Sequence, residues 1–166
     1  MLWFLRKALE EDQNFHVVVW CHFRAEVLRM IAEVKKTFPQ FEVGTIMGAQ
    51  KKSERLHALR LLKPETSPKG PVFVGGTFGT GSFGLDFTAA HTSVNCSYDY
   101  SFGKFKQEGD RVYGPGQEEP IAYYDVVATG PNGEKTIDHA MLAARLNTED
   151  IANWTVSTWI KALKEE

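Results

Sequence analysis

The sequence predicts one α/β domain, residues 1–166, built on an open and mostly parallel sheet of five or six strands with helices on both faces. Strand-like and helix-like segments alternate along the chain. The strands are continuous apolar runs, such as residues 16–20 (HVVVW), which is typical of strands buried on both faces. The chain has 166 residues, of which 43% are apolar, and no long linker divides it, so it can bury a single core.

Most of the predicted elements lie in the first two thirds of the chain. Residues 1–13 are expected to form an N-terminal helix that packs on the domain, because the apolar start is too short for a secretory signal. A strand at 16–20 is followed by a helix from Ala25 to Phe38, which Pro39 ends. Apolar residues at spacings of 4, 3 and 4 place one face of this helix in the core: Val27, Ile31, Val34 and Phe38.

The remaining elements follow in order. A strand at 41–46 is followed by a helix at 53–62, with Leu56, Leu59 and Leu62 on one side, and by a loop at 63–71. Next come a strand at 72–74, a glycine-rich loop at 75–84 and a short strand at 93–96. The last elements are a polar helix at 104–112, a strand at 121–128, a turn at 131–133 and two helices within 136–166. In the first of those two helices one face carries Ile137, Ala140, Met141 and Ala144.

Charge and cysteine usage limit the function classes. The formal net charge is −2, so any contact with nucleic acid must come from a local patch and not from the whole protein's field. Cys21 and Cys96 each follow an apolar run and are predicted to be buried, reduced thiols. Neither has a second cysteine at metal-ligand spacing, and we predict no metal site. No stretch is long enough to span a membrane, and a cytoplasmic location is expected by default.

The glycine-rich segment is the first candidate binding loop. In open parallel sheets, ligands bind beyond the carboxyl ends of the strands, and residues 75–84 follow such an end. Gly76–Ser82 has the spacing of a phosphate loop but lacks the lysine that reaches the outer phosphates, and no lysine occurs from Gly70 to Gly103. A loop whose glycines allow close approach of another chain or ligand explains the segment better than a self-sufficient nucleotide site.

An ordered series of motifs resembles the C-terminal motor domain of Swi/Snf-type superfamily-two helicases and translocases. The resemblance covers about residues 14–145. It is carried by 17–23 (VVVWCHF), Gly48 with Arg55, 84–90 (GLDFTAA), Tyr98-Asp99, Gln107-x-x-Asp110-Arg111 and Gly116-Gln117-x-x-Pro120-Ile121.

This resemblance implies a RecA-like fold of the phosphate-loop NTPase type and a divided active site. In such motors a first lobe holds the phosphate-loop lysine and the carboxylates that bind magnesium, while the second lobe closes on ATP and supplies an arginine to the γ-phosphate. This chain would be the second lobe, inactive as an ATPase alone. Its implied partners are ATP with magnesium held by the first lobe, that first lobe in another chain or a missing segment, and nucleic acid, with DNA expected rather than RNA.

The resemblance assigns ATP contacts to four residues. Arg111 matches the arginine of the sixth motif, whose fixed charge and forked donors suit phosphate, and surface pairing with Asp110 or Glu108 is the alternative interpretation. Gln107, Gly84 and Asp86 match neighbouring nucleotide-binding positions. Asp86 would accept a hydrogen bond from a ribose hydroxyl, or would simply cap a turn.

The resemblance also assigns nucleic-acid contacts. Hydroxyls and backbone N–H groups contact phosphates without reading sequence. The residues that match these positions are Thr77, Gly81 and Ser82 in the glycine-rich segment, His22 and Phe23 in the fourth motif, and Arg55. Ordinary loop or surface chemistry is the alternative for each of them.

One position departs from the family pattern. Gly114 stands where the second arginine of the sixth motif is expected, and loss of such a residue can reduce turnover by orders of magnitude. Either Arg111, Lys104 or Lys106 compensates, or the lobe has lost its catalytic duty. Two alternatives therefore remain: a non-catalytic module that binds nucleic acid or protein, and an unrelated nucleotide-binding α/β protein with a degenerate loop.

Overall fold

The described strands form a single five-stranded sheet in which every neighbouring pair is parallel, in the order β2-β3-β1-β4-β5. A computed structural model describes residues 1–78, 80, 87–97 and 120–146. Its elements are α1 (Leu2–Glu11), β1 (His16–Cys21), α2 (Arg24–Thr37), β2 (Glu42–Ile46), α3 (Lys52–Leu61), β3 (Val72–Thr77), β4 (Thr92–Asn95), β5 (Ala122–Asp125) and α4 (Ile137–Leu146). The predicted fold class is confirmed.

Strand β1, at the centre of the sheet, is buried on both faces. Its side chains alternate between two apolar clusters, as the period of two in a strand requires. Val17, Val19 and Cys21 join α1 and α2 in one cluster, while Val18 and Trp20 join α3 and residues 87–90 in the other. The continuous apolar run in the sequence is explained by this double burial.

Helix α2 follows the predicted pattern. Val27, Ile31 and Val34 are buried against the sheet, and the helix begins and ends one residue earlier than expected. Glu26 lies in its first turn and Lys35 and Lys36 lie in its last turn, which is the charge order that a helix dipole favours.

Helix α3 follows the prediction in part. Ala58 and Leu61 are its buried residues, and of the three leucines predicted to share a side, Leu62 is buried and Leu59 packs against the core, whereas Leu56 is 44% exposed. The reason is a close approach between the helix and β2: a Cβ atom on Gly44 would lie 2.9 Å from both Cα and Cβ of Ala58. This contact between two small residues sets the rotation of the helix and turns Leu56 outward.

Strand β3 is longer than the sequence suggested. It continues through Gly75, Gly76 and Thr77, all of them buried, so the glycine-rich loop begins only after Thr77. Neighbouring side chains occupy the space that a Cβ atom would need: Val27 Cγ1 would lie 2.8 Å from one on Gly75, and Trp20 Cζ3 would lie 2.5 Å from one on Gly76. The two glycines therefore serve packing within a strand rather than freedom in a loop.

The last two described elements differ from the prediction: strand β5 is shorter, and one predicted core residue of α4 is exposed. Strand β5 covers Ala122–Asp125 instead of 121–128, and a bridge between Thr129 and Lys135 closes the predicted turn, in which Gly133 has a φ of 86°. In α4, Ala140, Met141 and Ala144 are buried as predicted, whereas Ile137 is 46% exposed. The predicted helix at 104–112 and the last helix lie outside the described residues.

Candidate functional site

The candidate site lies where the parallel strands end. Because β1, β2, β3 and β4 all run in one direction, their carboxyl ends meet at one edge of the sheet. Phe78 N donates a hydrogen bond of 3.2 Å to Cys21 O, and Cys96 N donates one of 2.8 Å to Trp20 O. The segments that leave β3 and β4 are therefore fixed directly beside the end of β1.

Thr80 joins the ends of β2 and β3. Its hydroxyl Oγ1 lies 3.0 Å from Ile46 O, 2.7 Å from Thr77 O and 3.1 Å from Thr77 Oγ1. Thr77 is itself buried, with 8% of its surface exposed, so its side chain serves this internal network. The sequence reasoning named Thr77 and missed Thr80, which is the half-buried member of the pair.

Arg55 reaches the same point from α3. Its Nη2 donates a hydrogen bond of 3.2 Å to Thr80 O. A guanidinium has five N–H donors, and among the described residues Thr80 provides its only hydrogen-bonding partner. The half-buried side chain thus keeps a fixed positive charge and further donors beside the start of the glycine-rich loop.

The loop between β2 and α3 is held in place by Gln50. Gln50 Nε2 donates a hydrogen bond of 2.8 Å to Thr45 O, and Gln50 Oε1 accepts one from Met47 N. Ala49 has a φ of 55°, a left-handed conformation that is unfavourable for alanine. This short loop is therefore ordered by specific contacts and presents exposed Gly48 at its surface.

Three cations lie at the start of α3. Lys51 is the N-cap, Lys52 is the first helical residue and Arg55 is the fourth, and both lysines are exposed. The positive end of a helix dipole disfavours cations, and the one acid of this turn, Glu54, accepts a hydrogen bond of 3.1 Å from Lys51 N. The cluster does not help the helix, but it would favour an anion placed next to this loop.

The segment His22-Phe23 is supported by two residues that the sequence reasoning did not identify. His22 N donates to Ser97 Oγ at 2.6 Å, and Ser97 Oγ donates to Glu26 Oε2 at 2.9 Å. The same carboxylate oxygen accepts from Phe23 N at 3.0 Å. The position of Glu26, three residues after the N-cap of α2, was the available sequence signal.

Phe23 is held in an exposed position by this network. Phe23 is 61% exposed, and its ring lies edge-on to the His22 ring, with centroids 4.5 Å apart. An exposed aromatic ring on a fixed backbone is a surface on which another planar group can stack.

The two cysteines are unpaired thiols at this edge, with Cys21 buried and Cys96 half-buried. Hydrogen bonding between the two thiols raises the pKa of Cys21 and lowers the pKa of Cys96. Burial raises the pKa of Cys21 further. The prediction of reduced, buried thiols thus agrees with the structure for Cys21, whereas Cys96 is only partly covered.

The other predicted site residues lie outside the described ranges. These are Gly81, Ser82, Gly84, Asp86, Gln107 and Arg111, together with Gly114. Within the described ranges, no three His, Cys, Asp or Glu side chains are arranged to hold a metal ion. No helix in the same ranges is long and apolar enough to cross a membrane.

Comparisons with known proteins relate this fold to a known family. Residues 2–116 match the family described as the helicase conserved C-terminal domain. Comparison with curated proteins gives no match.

Solved structures of helicase domains share the fold. The C-terminal part of the Fun30 ATPase domain is similar over 97% of this chain and 49% of its own, with a TM-score of 0.68 and 14% identity. Domain 2 of the DEAD-box helicase Mss116p, bound to an RNA duplex, is similar over 99% of this chain and 64% of its own, with a TM-score of 0.67 and 12% identity. The SWI2/SNF2 ATPase core of Sulfolobus solfataricus, in complex with double-stranded DNA, is similar over 99% of this chain and 32% of its own, with a TM-score of 0.61 and 16% identity.

These likenesses extend over nearly the whole chain, but the chain spans only a third to two thirds of each solved relative. The structural relatives include both Swi/Snf-type and DEAD-box proteins, so they establish the RecA-like fold without separating the two groups. The family match covers more than half of the sequence, and the chain is therefore a member of the helicase conserved C-terminal domain family.

Proposed function

We propose that this chain is the second motor lobe of a Swi/Snf-type, ATP-dependent DNA translocase. In this proposal it closes on ATP that a first lobe holds, either in another chain or in another segment of a longer protein. The observation that carries the proposal is the cationic, hydrogen-bonded edge formed by Arg55, Thr80 and the start of α3, in a chain of the helicase C-terminal family.

The nucleic-acid side of the proposal rests on the chemistry of that edge. Arg55 and the exposed Lys51 and Lys52 supply positive charge, and the ordered loop at Gly48 allows close approach of a phosphate. Such groups contact the backbone without reading bases, as a motor that moves along any sequence requires. The exposed Phe23 ring, together with Gly81 and Ser82, would extend the contact along the nucleic-acid strand.

The choice of DNA rests on the order of the sequence motifs and on one structural relative. The SWI2/SNF2 ATPase core of Sulfolobus solfataricus is in complex with double-stranded DNA, whereas the DEAD-box relative is bound to an RNA duplex. A parallel titration of duplex DNA and duplex RNA of one sequence tests the choice, and stronger binding of RNA would reassign the chain to the DEAD-box group.

The ATP side of the proposal follows the resemblance residue by residue. We assign Arg111 to the γ-phosphate, with Gln107, Gly84 and Asp86 at neighbouring positions of the nucleotide. The magnesium ligands and the phosphate-loop lysine belong to the first lobe in this assignment. Magnesium would neutralise charge on the β- and γ-phosphates, while Arg111 would stabilise the charge that develops during transfer.

Gly114 supports one alternative function. A lobe that lacks the second arginine of the sixth motif could retain the fold and the phosphate contacts without supporting hydrolysis. The experiment is the steady-state ATP turnover of this chain mixed with a Swi/Snf-type first lobe, with and without duplex DNA. DNA-stimulated turnover that Arg111→Ala abolishes supports the motor, and duplex binding without turnover supports the non-catalytic module.

A further inference from the structure

Cys21 and Cys96 stand side by side at the ends of two hydrogen-bonded strands. The parallel register of β1 and β4 pairs Trp20 with Asn95, so the next residue on each strand is a cysteine. The backbone bond from Cys96 N to Trp20 O, at 2.8 Å, continues this pairing past the last strand residues. Neighbouring strands lie about 4.8 Å apart. That spacing falls within the range of about 4.4–6.8 Å over which a disulfide can join two Cα atoms.

The two sulfur atoms lie on the same face of the sheet. Cys21 belongs to the apolar cluster beneath α1 and α2, and Cys96 packs against that cluster. Their mutual interaction raises the pKa of Cys21 and lowers the pKa of Cys96, as expected of two thiols that are close neighbours. Both thiols line a cavity of about 310 Å³, and Cys96 is half-buried, which gives a small oxidant a route to the pair.

We propose that Cys21 and Cys96 form a peroxide-sensitive dithiol site that closes to an intramolecular disulfide. The hydrogen bond from Cys21 lowers the pKa of Cys96 and so favours its thiolate, which makes Cys96 the sulfur that reacts first. Cys21, whose pKa is raised, is the resolving thiol. The Glu26 carboxylate also lies near the pair and opposes ionisation of both thiols.

The reaction is balanced with hydrogen peroxide as the oxidant. The Cys96 thiolate attacks one peroxide oxygen and breaks the O–O bond, which gives a sulfenic acid and hydroxide. The Cys21 sulfur then attacks the sulfur of that sulfenic acid. The S–O bond breaks as the S–S bond forms, and the oxygen leaves as water after it gains the Cys21 proton. In total two thiols lose two electrons and two protons, and one peroxide becomes two waters.

The position of the bond gives it a structural consequence. Cys21 directly precedes His22 and Cys96 directly precedes Ser97, and His22 N donates to Ser97 Oγ at 2.6 Å. A covalent link one residue away would fix the ends of β1 and β4 relative to each other. The reduced and oxidised forms would therefore hold the His22-Phe23 segment differently.

The test uses the full chain, reduced, freed of reductant and treated with hydrogen peroxide before the remaining thiols are alkylated. The chain has only two cysteines, so an intramolecular disulfide is identified by a monomer that loses two hydrogen atoms and takes up no alkylating group. We expect this product in the folded chain at a rate at least about tenfold above that in concentrated urea, because folding holds the sulfur atoms together. Dithiothreitol should reverse it.

Two single variants separate the roles of the thiols. Cys21→Ser should leave Cys96 as a sulfenic acid that a dimedone probe traps, while Cys96→Ser should leave Cys21 largely unreacted. The proposal is overturned if the folded chain gives only disulfides between chains, or sulfinic acid without a disulfide. Equal rates in buffer and in urea would also overturn it, and this comparison needs no variant.

Discussion

Replacing Gly76 with alanine would place a methyl group where the indole ring of Trp20 already lies. The new Cβ would be 2.5 Å from Cζ3 and 2.8 Å from Cε3 of that ring. Carbon atoms pack comfortably at about 3.5–4.0 Å, so the methyl group and the ring must separate by about 1 Å.

Neither partner can move freely. Gly76 lies in β3 between two paired strands, opposite Trp20 on β1 and Ile46 on β2. Trp20 is 1% exposed, and the rings of Phe78 and Phe87 lie 6.4 and 5.9 Å from it, centroid to centroid. Overpacking of this kind costs about 1–3 kcal/mol of unfolding free energy. For a domain of this size the melting temperature should fall by roughly 2–12 °C.

Gly48→Ala is the matched control. Among the described residues, a Cβ atom at Gly48 would meet only Thr80 Cγ2, at an ordinary distance of 3.7 Å, and Gly48 is exposed. Its effect on stability should therefore stay within about 0.5 kcal/mol. Urea unfolding followed by tryptophan fluorescence and circular dichroism measures both variants.

A double-mutant cycle tests the cause of the destabilisation. Trp20→Leu removes the ring atoms that clash, so Gly76→Ala should cost less in that background, with a coupling energy of about 1 kcal/mol or more. If Gly76→Ala were as mild as Gly48→Ala, or if the two effects at 20 and 76 simply added, the explanation by close packing would be refuted.

Three further predictions concern the site. Arg55→Ala should weaken duplex DNA binding several-fold and reduce the salt dependence of binding by about one counterion. Arg60→Ala, at the opposite end of α3, is the control and should change the affinity little. Equal effects of the two variants in fluorescence anisotropy titrations would contradict the assignment. Ser97→Ala removes the oxygen that accepts from His22 N and should cost about 1 kcal/mol in urea unfolding, and no loss would show that the network is dispensable. The isolated chain should show no measurable ATP hydrolysis in a coupled assay, and robust turnover by the wild-type chain would contradict the divided-site interpretation.

The sequence predicted those strands and helices whose local pattern of apolar residues is sufficient to identify them. The β-branched apolar run at 16–20 indicated a buried strand, and the spacing of Val27, Ile31 and Val34 identified the buried face of α2. The extent of β3 was not predictable in this way. Gly75 and Gly76 are typical of loops, and only the side chains of Val27 and Trp20, far away in sequence, explain why glycine is needed there.

The same distinction applies to the candidate site. Motif order pointed to His22, Phe23, Arg55 and Thr77, and the structure brings Arg55 and Thr77 to one residue, Thr80. Ser97 could not be found from the sequence, because it meets His22 across 75 positions of the chain. Such a contact depends on the strand order, which no local pattern specifies.

The strand order also has a consequence for how the chain is made. β1 is synthesised before both of its neighbours, β3 and β4, so its first edge stays unpaired until Val72–Thr77 is made and its second edge until Thr92–Asn95 is made. Until β3 is made, the nascent protein exposes a strand apolar on both faces and open at both edges, which favours association with other chains. On the ribosome, the stretch between Cys21 and Val72 is therefore the interval in which slow translation or lack of a chaperone should most reduce the yield of folded protein.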